Sequence, residues 1–296
     1  MVSVGSIIGG GFRLFREQPL AVLVWGVIYG ALTVASMMWL PAMMRMQLAA
    51  AGGGSPGALL QWMIPFYLAM IVVALVMTVA AFRAVMRPEA SAAAFLRFGG
   101  DELRLLVLAI VWLVINLVLY FMAILLGVTV AGIMAGSNGS SAGIALLFGV
   151  VIALPVLCLM IFVHIRLSPA IPLTLLRRKI IIGDAWRLTR GHFWVLFTGY
   201  LIVVLMLVLA YLLVAAVTMG GYFTMLTSGG FTPQSIDAAN QYRLAQMSAV
   251  TPFTILGWLL SAAYGAVSYA MWAGSVSTAT QELLGLTATD YAATFE

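Results

Sequence analysis

Six long apolar segments constrain the fold of this chain more than any other feature of its sequence. They lie at about 19–40, 59–82, 104–134, 142–166, 193–219 and 252–276. A helix that crosses the hydrocarbon core of a bilayer needs about 20 mostly apolar residues, and each segment meets that length. We therefore predict an all-α integral membrane protein with six transmembrane helices.

The composition excludes a soluble protein. The chain is 64% hydrophobic and 8% charged, whereas a soluble domain has about 25% charged residues. With so few charges, a soluble chain could not cover its own surface. Arg13 and Arg16 precede the first segment in the manner of a signal peptide. That segment is longer than a signal peptide's apolar region of about 7–15 residues, and no small-residue cleavage site follows closely, so we interpret it as a retained helix.

The positive charges indicate the topology. Twelve Lys and Arg residues lie before segment one, between segments two and three, or between segments four and five, and only Arg45 and Arg243 lie in the other loops. Because Lys and Arg stay on the cytoplasmic side, we expect a multi-pass protein of the bacterial cytoplasmic (inner) membrane with the N-terminus and the C-terminus in the cytoplasm. Nucleic-acid binding is not predicted, since it would need a solvated basic domain.

The loops divide the six segments into three pairs. The stretch AAAGGGSPG (49–57) joins the first pair, GSNGSS (136–141) joins the second, and about 30 residues join the third. We predict a single polytopic membrane domain over residues 1–296. It consists of three helical hairpins at about 1–90, 91–180 and 181–280, with a short C-terminal tail at 281–296.

A short amphipathic stretch precedes each hairpin. The three stretches are SIIGGGFRLFREQP (6–19), SAAAFLRFGGDELRLL (91–106) and GDAWRLTRGHFW (183–194). Their aromatic residues Phe12, Phe95 and Trp186 are 83 and 91 residues apart, which indicates an internal repeat.

We expect each stretch to form an amphipathic interfacial helix on the cytoplasmic side, with its aromatic rings in the acyl boundary and its Arg side chains at the headgroups. In the first stretch Ile8, Phe12 and Phe15 share one helical face. In the third, Asp184 is placed as an N-cap. Either a general anchor or a specific lipid site is consistent with this pattern. The candidate headgroup anchors are Arg13, Arg16, Arg97, Arg104, Trp186, Arg187, Arg190 and Trp194.

Two of the loops contain shorter patterns. Residues 164–186 include an apolar stretch too short to span, in which Pro169 and Pro172 are expected to interrupt any helix. This loop either runs along the inner surface or lies between helix ends. The outer loop before segment six contains Thr232 and Pro233, which are typical of an N-cap and a first turn. They predict a short outer helix, which is either a passive connector or a lid.

Polar residues are scarce within the segments. No Asp, Glu, Lys or Arg lies in the middle of any of them, which argues against proton-coupled transport. Asn116 lies near the middle of segment three, with Tyr120 one turn later on the same face. An unpaired amide is costly in hydrocarbon, so we expect Asn116 to face another helix, either as a hydrogen bond between helices or as an intramembrane polar contact for a solute.

Small residues and one proline predict how the helices pack. Gly26 and Gly30 have the spacing that lets two membrane helices approach closely. Pro155 is expected to kink segment four. One side of segment six carries small, weakly polar residues, namely Ser261, Gly265, Ser268 and Ser275. We predict that this side is a close-packing face or, as the alternative, the wall of a groove.

We predict no cofactor, no metal and no enzymatic activity. Cys158 is the single cysteine, and His164 and His192 belong to no metal-binding spacing. The five methionines within 37–46 resemble a Cu(I) site, but no outer His or Cys supports one. The sequence contains no HExxH, no GxSxG, no P-loop and no Gly-rich dinucleotide turn.

The sequence resembles a group of bacterial inner-membrane proteins without an assigned reaction. The matching stretches are GFRLFREQPLAVL, FRAVMRPE, FLRFGGDELR, RLSPAIP and DAWRLTRGHFWVLF. The hairpin architecture is similar to that of the membrane domain attached to some glycerophosphodiester phosphodiesterases. The catalytic barrel of those enzymes has no counterpart here, so the resemblance carries over no catalytic residue and implies a membrane module alone.

These observations favour a non-catalytic inner-membrane module that binds lipid or a membrane or envelope partner protein. The expected partners are membrane lipids and a membrane protein or a second copy of the chain. The alternative function is a transporter or flippase for a lipid-like or apolar solute, with Asn116 and Tyr120 facing its path.

Overall fold

The computed structural model describes residues 2–51, 56–88, 92–96, 99–135 and 142–285. Within these residues the chain is helical and contains no strand. A 3-10 turn at Ala92–Phe95 lies between the third and fourth helices. The helices are α1 (Val4–Glu17), α2 (Pro19–Ala51), α3 (Pro56–Met86), α4 (Gly100–Ala135), α5 (Ala142–Leu167), α6 (Ala170–Arg177), α7 (Gly183–Leu188), α8 (Phe193–Ser228), α9 (Pro233–Ser248) and α10 (Pro252–Leu283).

Six helices, α2, α3, α4, α5, α8 and α10, are long and apolar enough to cross a membrane. The shortest of them, α5, has 26 residues, which at about 1.5 Å per residue exceeds a hydrocarbon core of roughly 30 Å. Large apolar side chains face outward along these helices, with Leu125 and Leu213 about 70% exposed (69% and 71%). The prediction of an all-helical chain with six helices long and apolar enough to span a membrane is confirmed for the described residues. Pro155, where we expected a kink, lies inside a continuous α5.

Helix α10 lies at the centre and contacts α1, α2, α3, α6 and α8. Its small residues meet those of α2: a methyl group on Gly26 would lie 3.4 Å from the Cβ of Ala266, and one on Gly30 would lie 3.0 Å from that of Ala262. Gly265 makes room for the ring of Tyr29. The predicted close approach at Gly26 and Gly30 is confirmed.

Helix α1 packs across the end of α10. A methyl group on Gly10 would lie 2.9 Å from the carbonyl oxygen of Gly274, so only glycine fits there. The Ser6 hydroxyl donates to Glu282 of α10 at 2.7 Å. The fully buried side chains of α1 are Ile7 and Leu14.

The face of α1 that we expected in the acyl boundary is separate from the face that packs against the protein. Ile8 and Phe15 are half-buried and Phe12 is exposed, whereas the buried residues of α1 are Ile7, Gly10, Gly11 and Leu14. Gly199 of α8 lies directly under Ile7. Both faces of α1 therefore carry large apolar residues, one toward the protein and one that we expected in the acyl boundary.

The 3-10 turn corrects one expectation. Phe95 was expected in the acyl boundary, but it is fully buried in the protein. Trp25 donates its ring N–H to the Ala94 carbonyl at 3.1 Å, and Arg83 donates to the Phe95 carbonyl at 2.8 Å. Ala94 and Phe95 both adopt positive φ, at 53° and 64°. The two hydrogen bonds hold the turn in this strained shape and direct the ring of Phe95 inward.

Helices α6 and α7 correct two further expectations. Pro172 does not interrupt a helix, because it lies in the first turn of α6, where no intrahelical bond requires its missing N–H. Asp184 is not an N-cap: Ile182 precedes the first residue of α7, and Asp184 instead pairs with Arg177 at 2.7 Å. Most side chains of α6 are buried, so this segment lies between helix ends, one of the two arrangements that we expected.

The two ends of the bundle differ in charge. We call the end that holds Arg13, Arg83, Arg104, Arg166 and Arg177 the basic end, and the opposite end, covered by α9, the α9 end. Helix α9 begins at Pro233 after the N-cap Thr232, as predicted, and packs on α8 and α2. Helices α4 and α5 pack along each other, and α5 meets α8 only over a short stretch.

Candidate functional site

A lateral cleft of about 790 Å³ separates α4 and α5 from α8 and α10. Helices α3 and α6 complete its walls. The lining residues of α4 run from Leu105 to Trp112 and those of α8 from Phe197 to Val204, so the cleft lies in the half of the bundle nearest the basic end. Helices α5 and α8 contact each other only over a short stretch, and the cleft occupies space between them.

The floor and the rim of the cleft are both apolar but differ in exposure. Phe82 and Leu108 of the floor are 1% and 2% exposed. At the rim, Ile71, Leu157 and Leu201 are about half exposed, at 55%, 54% and 41%. The cleft therefore opens sideways, through apolar side chains, toward whatever surrounds the spanning helices.

A pair of hydroxyl groups lies in the wall of the cleft near the basic end. Ser168 and Tyr200 are both buried, and their hydroxyl oxygens are 3.1 Å apart and hydrogen-bonded. The Ser168 hydroxyl is also 2.8 Å from the Ile165 carbonyl, which accepts from it. This pair links the end of α5 to α8.

His164 supplies a further polar group to the same wall. Its Nδ1 lies 2.7 Å from the Met160 carbonyl of its own helix. Because a carbonyl can only accept, Nδ1 carries the proton, and no described residue bonds to Nε2. The imidazole ring lies 4.4 Å from the ring of Trp112, which also lines the cleft. Nε2 is therefore left for a ligand.

Arg166 extends this polar region beyond the cleft. Its guanidinium lies 5.0 Å from the Trp186 ring and 5.5 Å from the Phe162 ring. It also reaches the Trp186 carbonyl and the Thr189 hydroxyl, each at 3.4 Å. Two aromatic faces thus hold one cation beside the end of α5.

A buried ion-pair network joins α3 to α4 below the cleft. Arg83 pairs with Glu102 at 2.7 Å, and their side chains are 5% and 2% exposed. Arg87 pairs with Asp101 at 3.1 Å and donates to the Leu175 carbonyl of α6. Burial lowers the pKa of Arg87, and the nearby Asp101 opposes that shift. A buried pair with this many hydrogen bonds fixes the relative position of the helices.

The seven predicted headgroup anchors that the structure describes fall into two groups. Arg13 and Arg104 are paired with carboxylates, at 2.8 Å from Glu17 and from Asp101, while Arg97 lies outside the described residues. The others present exposed side chains at the basic end; they are Arg16, Trp186, Arg187, Arg190 and Trp194.

The predicted intramembrane contact has a local partner. The Asn116 side-chain amide donates to the Trp112 carbonyl of its own helix at 2.8 Å. Tyr120, one turn further, is 63% exposed. Neither residue is among those that line the cleft. The structure thus brings together Trp112, His164, Ser168 and Tyr200, and not the pair that the sequence analysis singled out.

Sequence reasoning missed the polar wall of the cleft, although part of it had a signal. His164 and Ser168 are four residues apart and so share a helical face at the end of an apolar segment. The Arg83–Glu102 pair had no such signal, because its residues come from different helices. Among the described residues, no group of three or more His, Cys, Asp or Glu side chains is placed to hold a metal ion.

Comparisons with protein-family models, with curated proteins and with solved structures found no match for this chain.

Proposed function

We propose that the protein is a non-catalytic membrane module that holds a lipid acyl chain in the lateral cleft. The observation that carries the proposal is an apolar cleft with an exposed apolar rim and a polar wall confined to one end. Its volume of about 790 Å³ falls within the roughly 300–1,000 Å³ of small-molecule sites.

The physics of the bilayer supports this choice of occupant. An empty cleft among spanning helices forfeits dispersion contacts along its whole lining, and acyl chains are the groups at hand to fill it. Apolar burial alone gives no preference for protein over lipid inside a bilayer. Selectivity must therefore come from shape and from the polar groups at the end of the cleft.

Those polar groups suit the uncharged oxygens of a lipid. Nε2 of His164 can accept from a lipid hydroxyl. The Tyr200 oxygen can accept from one as well, because the Ser168 proton goes to the Ile165 carbonyl and the Tyr200 proton goes to Ser168. Beyond them, Arg166 and the exposed Arg187 and Arg190 are placed for a phosphate. The chain would lie along the rim and floor, and the headgroup at the basic end.

The topology that we propose determines on which side of the membrane this site lies. If the six spans form three hairpins in a bacterial inner membrane with both termini in the cytoplasm, the basic end is cytoplasmic. The cleft then draws its lipid from the cytoplasmic leaflet, and α1 and α7 lie at that interface.

One observation favours the second candidate, transport of a lipid-like solute. A further pocket of about 350 Å³ shares Thr78, Phe82 and Trp272 with the cleft and extends along α8 and α10 toward Leu207 and Tyr269. Such a continuation would let a solute move from one half of the bundle toward the other.

Native mass spectrometry of the gently extracted protein tests the proposal. We expect a retained lipid in the natural chain and about tenfold less of it in Leu106→Trp, because a ring filling the cleft raises the cost of seating a chain by about 1–3 kcal/mol. Leu117→Trp is the matched control: Leu117 lies on the same helix, is similarly exposed and does not line the cleft.

The outcome also separates the alternatives. Equal lipid retention in both variants would refute the cleft as the binding site. Faster movement of a fluorescent lipid between leaflets of proteoliposomes, lost in Leu106→Trp and kept in Leu117→Trp, would favour transport. A stoichiometric protein partner or a dimer without bound lipid would favour the protein-binding module.

A further inference from the structure

A second site lies at the α9 end, away from the cleft. It is a pocket of about 230 Å³ between α2, α8, α9 and α10. Phe253 and Trp258 of α10 and Met219 of α8 form apolar walls. Arg243 and Gln246 of α9 line the pocket as well. A pocket with apolar walls and a cation at one side has the polarity of an amphiphile.

Arg243 has an aromatic neighbour but no carboxylate partner among the described residues. Its guanidinium lies 5.7 Å from the ring of Tyr222. Asp237, the acid of the same helix, is exposed and lies on another face, six residues earlier. A half-buried guanidinium without a counter-ion favours binding of an anion, to which its planar fork can donate two parallel hydrogen bonds.

Two neutral polar groups lie beside this cation. Neither the Gln246 amide nor the Ser261 hydroxyl has a hydrogen-bond partner within the described part of the chain, and both line the pocket. Thr218 is different, since its hydroxyl donates to the Val214 carbonyl of its own helix. The pocket therefore has a guanidinium, an amide and a hydroxyl free for a ligand.

Helix α9 is seated closely over the pocket. Tyr242 packs on Gly221 of α8, where a methyl group would lie 2.7 Å from the ring. Ala239 is fully buried, and Ser235 packs on Gly229. A ligand held by Arg243 and Gln246 would add contacts between α9 and the spanning helices, and so would oppose opening of this cover.

We propose that this pocket binds the anionic group of an amphiphile, a phosphate or a carboxylate carried on an apolar chain, with Arg243 as its cation and α9 as its cover. The volume is below the roughly 300–1,000 Å³ of complete small-molecule sites, so it accommodates the charged group and the first carbons of the chain. Either an anionic lipid headgroup or a free amphiphile supplies this chemistry.

Hydrogen exchange of the full chain in phosphatidylcholine nanodiscs tests the proposal. The two probes are octyl phosphate in solution and phosphatidylglycerol in the disc. A ligand at ten times its Kd slows exchange about tenfold wherever opening requires its release, so we expect that slowing in the amides of α9. A response to octyl phosphate identifies a free amphiphile as the source, and a response to phosphatidylglycerol alone identifies the lipid.

Variants make the test specific to Arg243. Arg243→Gln should abolish the slowing, and Arg243→Lys should keep only part of it, because a point charge replaces the fork. Ser261→Met fills the pocket while leaving Arg243 in place and should also abolish it. Arg178→Gln, which changes an exposed arginine of the basic end, should respond like the natural chain, and so should Leu106→Trp, which blocks only the cleft. No slowing in the natural chain, or equal slowing in Arg243→Gln and Ser261→Met, would overturn the proposal.

Discussion

Where α1 and α2 meet α10, glycine and alanine bring the helix backbones together, whereas where α4 and α5 face α8, large side chains keep the helices apart. Gly10 and Gly274 leave no room for even a methyl group between α1 and α10. Around the cleft, Leu108, Trp112 and Phe197 leave space for a chain-sized guest. One side of the bundle is complete by itself, and the other side contains an apolar cleft that, as we propose, a lipid chain fills.

The difference follows from how helices associate in lipid. Without a hydrophobic driving force, stable contact depends on close packing of small residues and on hydrogen bonds. Helices α1, α2 and α10 associate through close packing of small residues. The α4–α5 pair is attached to the bundle by hydrogen bonds, through Arg83, Glu102 and the Ser168–Tyr200 pair.

The largest effect is expected from breaking that attachment. Arg83→Met leaves Glu102 buried without its cation, which costs about 3–5 kcal/mol of stability. Thermal unfolding in detergent measures the loss. Arg187→Met is the control, because Arg187 is exposed and its ion pair with Asp184 is long, at 3.9 Å.

The double variant Arg83→Met with Glu102→Leu sharpens this prediction. Replacing a whole buried pair with apolar residues is often nearly neutral, so the double variant should regain much of the stability lost in the single one. Equal losses in the two variants would show that the pair contributes through its bond to the Phe95 carbonyl rather than through its charges.

A smaller effect is expected from overfilling the close-packed side. In Gly274→Ala the new methyl group would overlap the Gly10 carbonyl oxygen, and overpacking of this kind costs about 1–3 kcal/mol. In Gly127→Ala on α4 the methyl group would meet nothing within 4 Å. The two substitutions are identical in chemistry, and unfolding temperatures should fall only for the first. A similar fall for both would contradict the contrast between the two sides.

The sequence was sufficient for the features that depend on composition along one helix. Apolar length predicted the six spans, Thr232 and Pro233 predicted the start of α9, and the spacing of Gly26 and Gly30 predicted a close approach. These features need no knowledge of a partner helix, only of periodicity and of the special backbone properties of glycine and proline.

The features that sequence reasoning missed depend on which helices become neighbours. The cleft lies between α4 and α5 on one side and α8 and α10 on the other, an arrangement that no local pattern records. Asn116 was expected to need another helix, but its amide reaches the Trp112 carbonyl four residues earlier, a local alternative open to a short polar side chain. Phe95 was expected at the membrane, but Trp25 of α2 and Arg83 of α3, which lie outside its own segment, hold its turn inward.

The smallest effect is expected from the hydroxyl pair in the cleft wall. Tyr200→Phe removes one buried hydrogen bond, whose net contribution is about 0.5–1.5 kcal/mol, while Ser168 keeps its bond to the Ile165 carbonyl. Tyr120→Phe is the control, since Tyr120 is exposed.

If the hydroxyl pair only ties α5 to α8, Tyr200→Phe lowers the unfolding temperature equally with and without lipid. If the pair also bonds a lipid oxygen, as we propose, the variant additionally loses part of the stabilisation that added lipid gives the natural chain. The unfolding temperature measured in detergent, before and after lipid is added, separates the two cases. Only in the second case does Tyr200→Phe reduce the rise in unfolding temperature that added lipid produces.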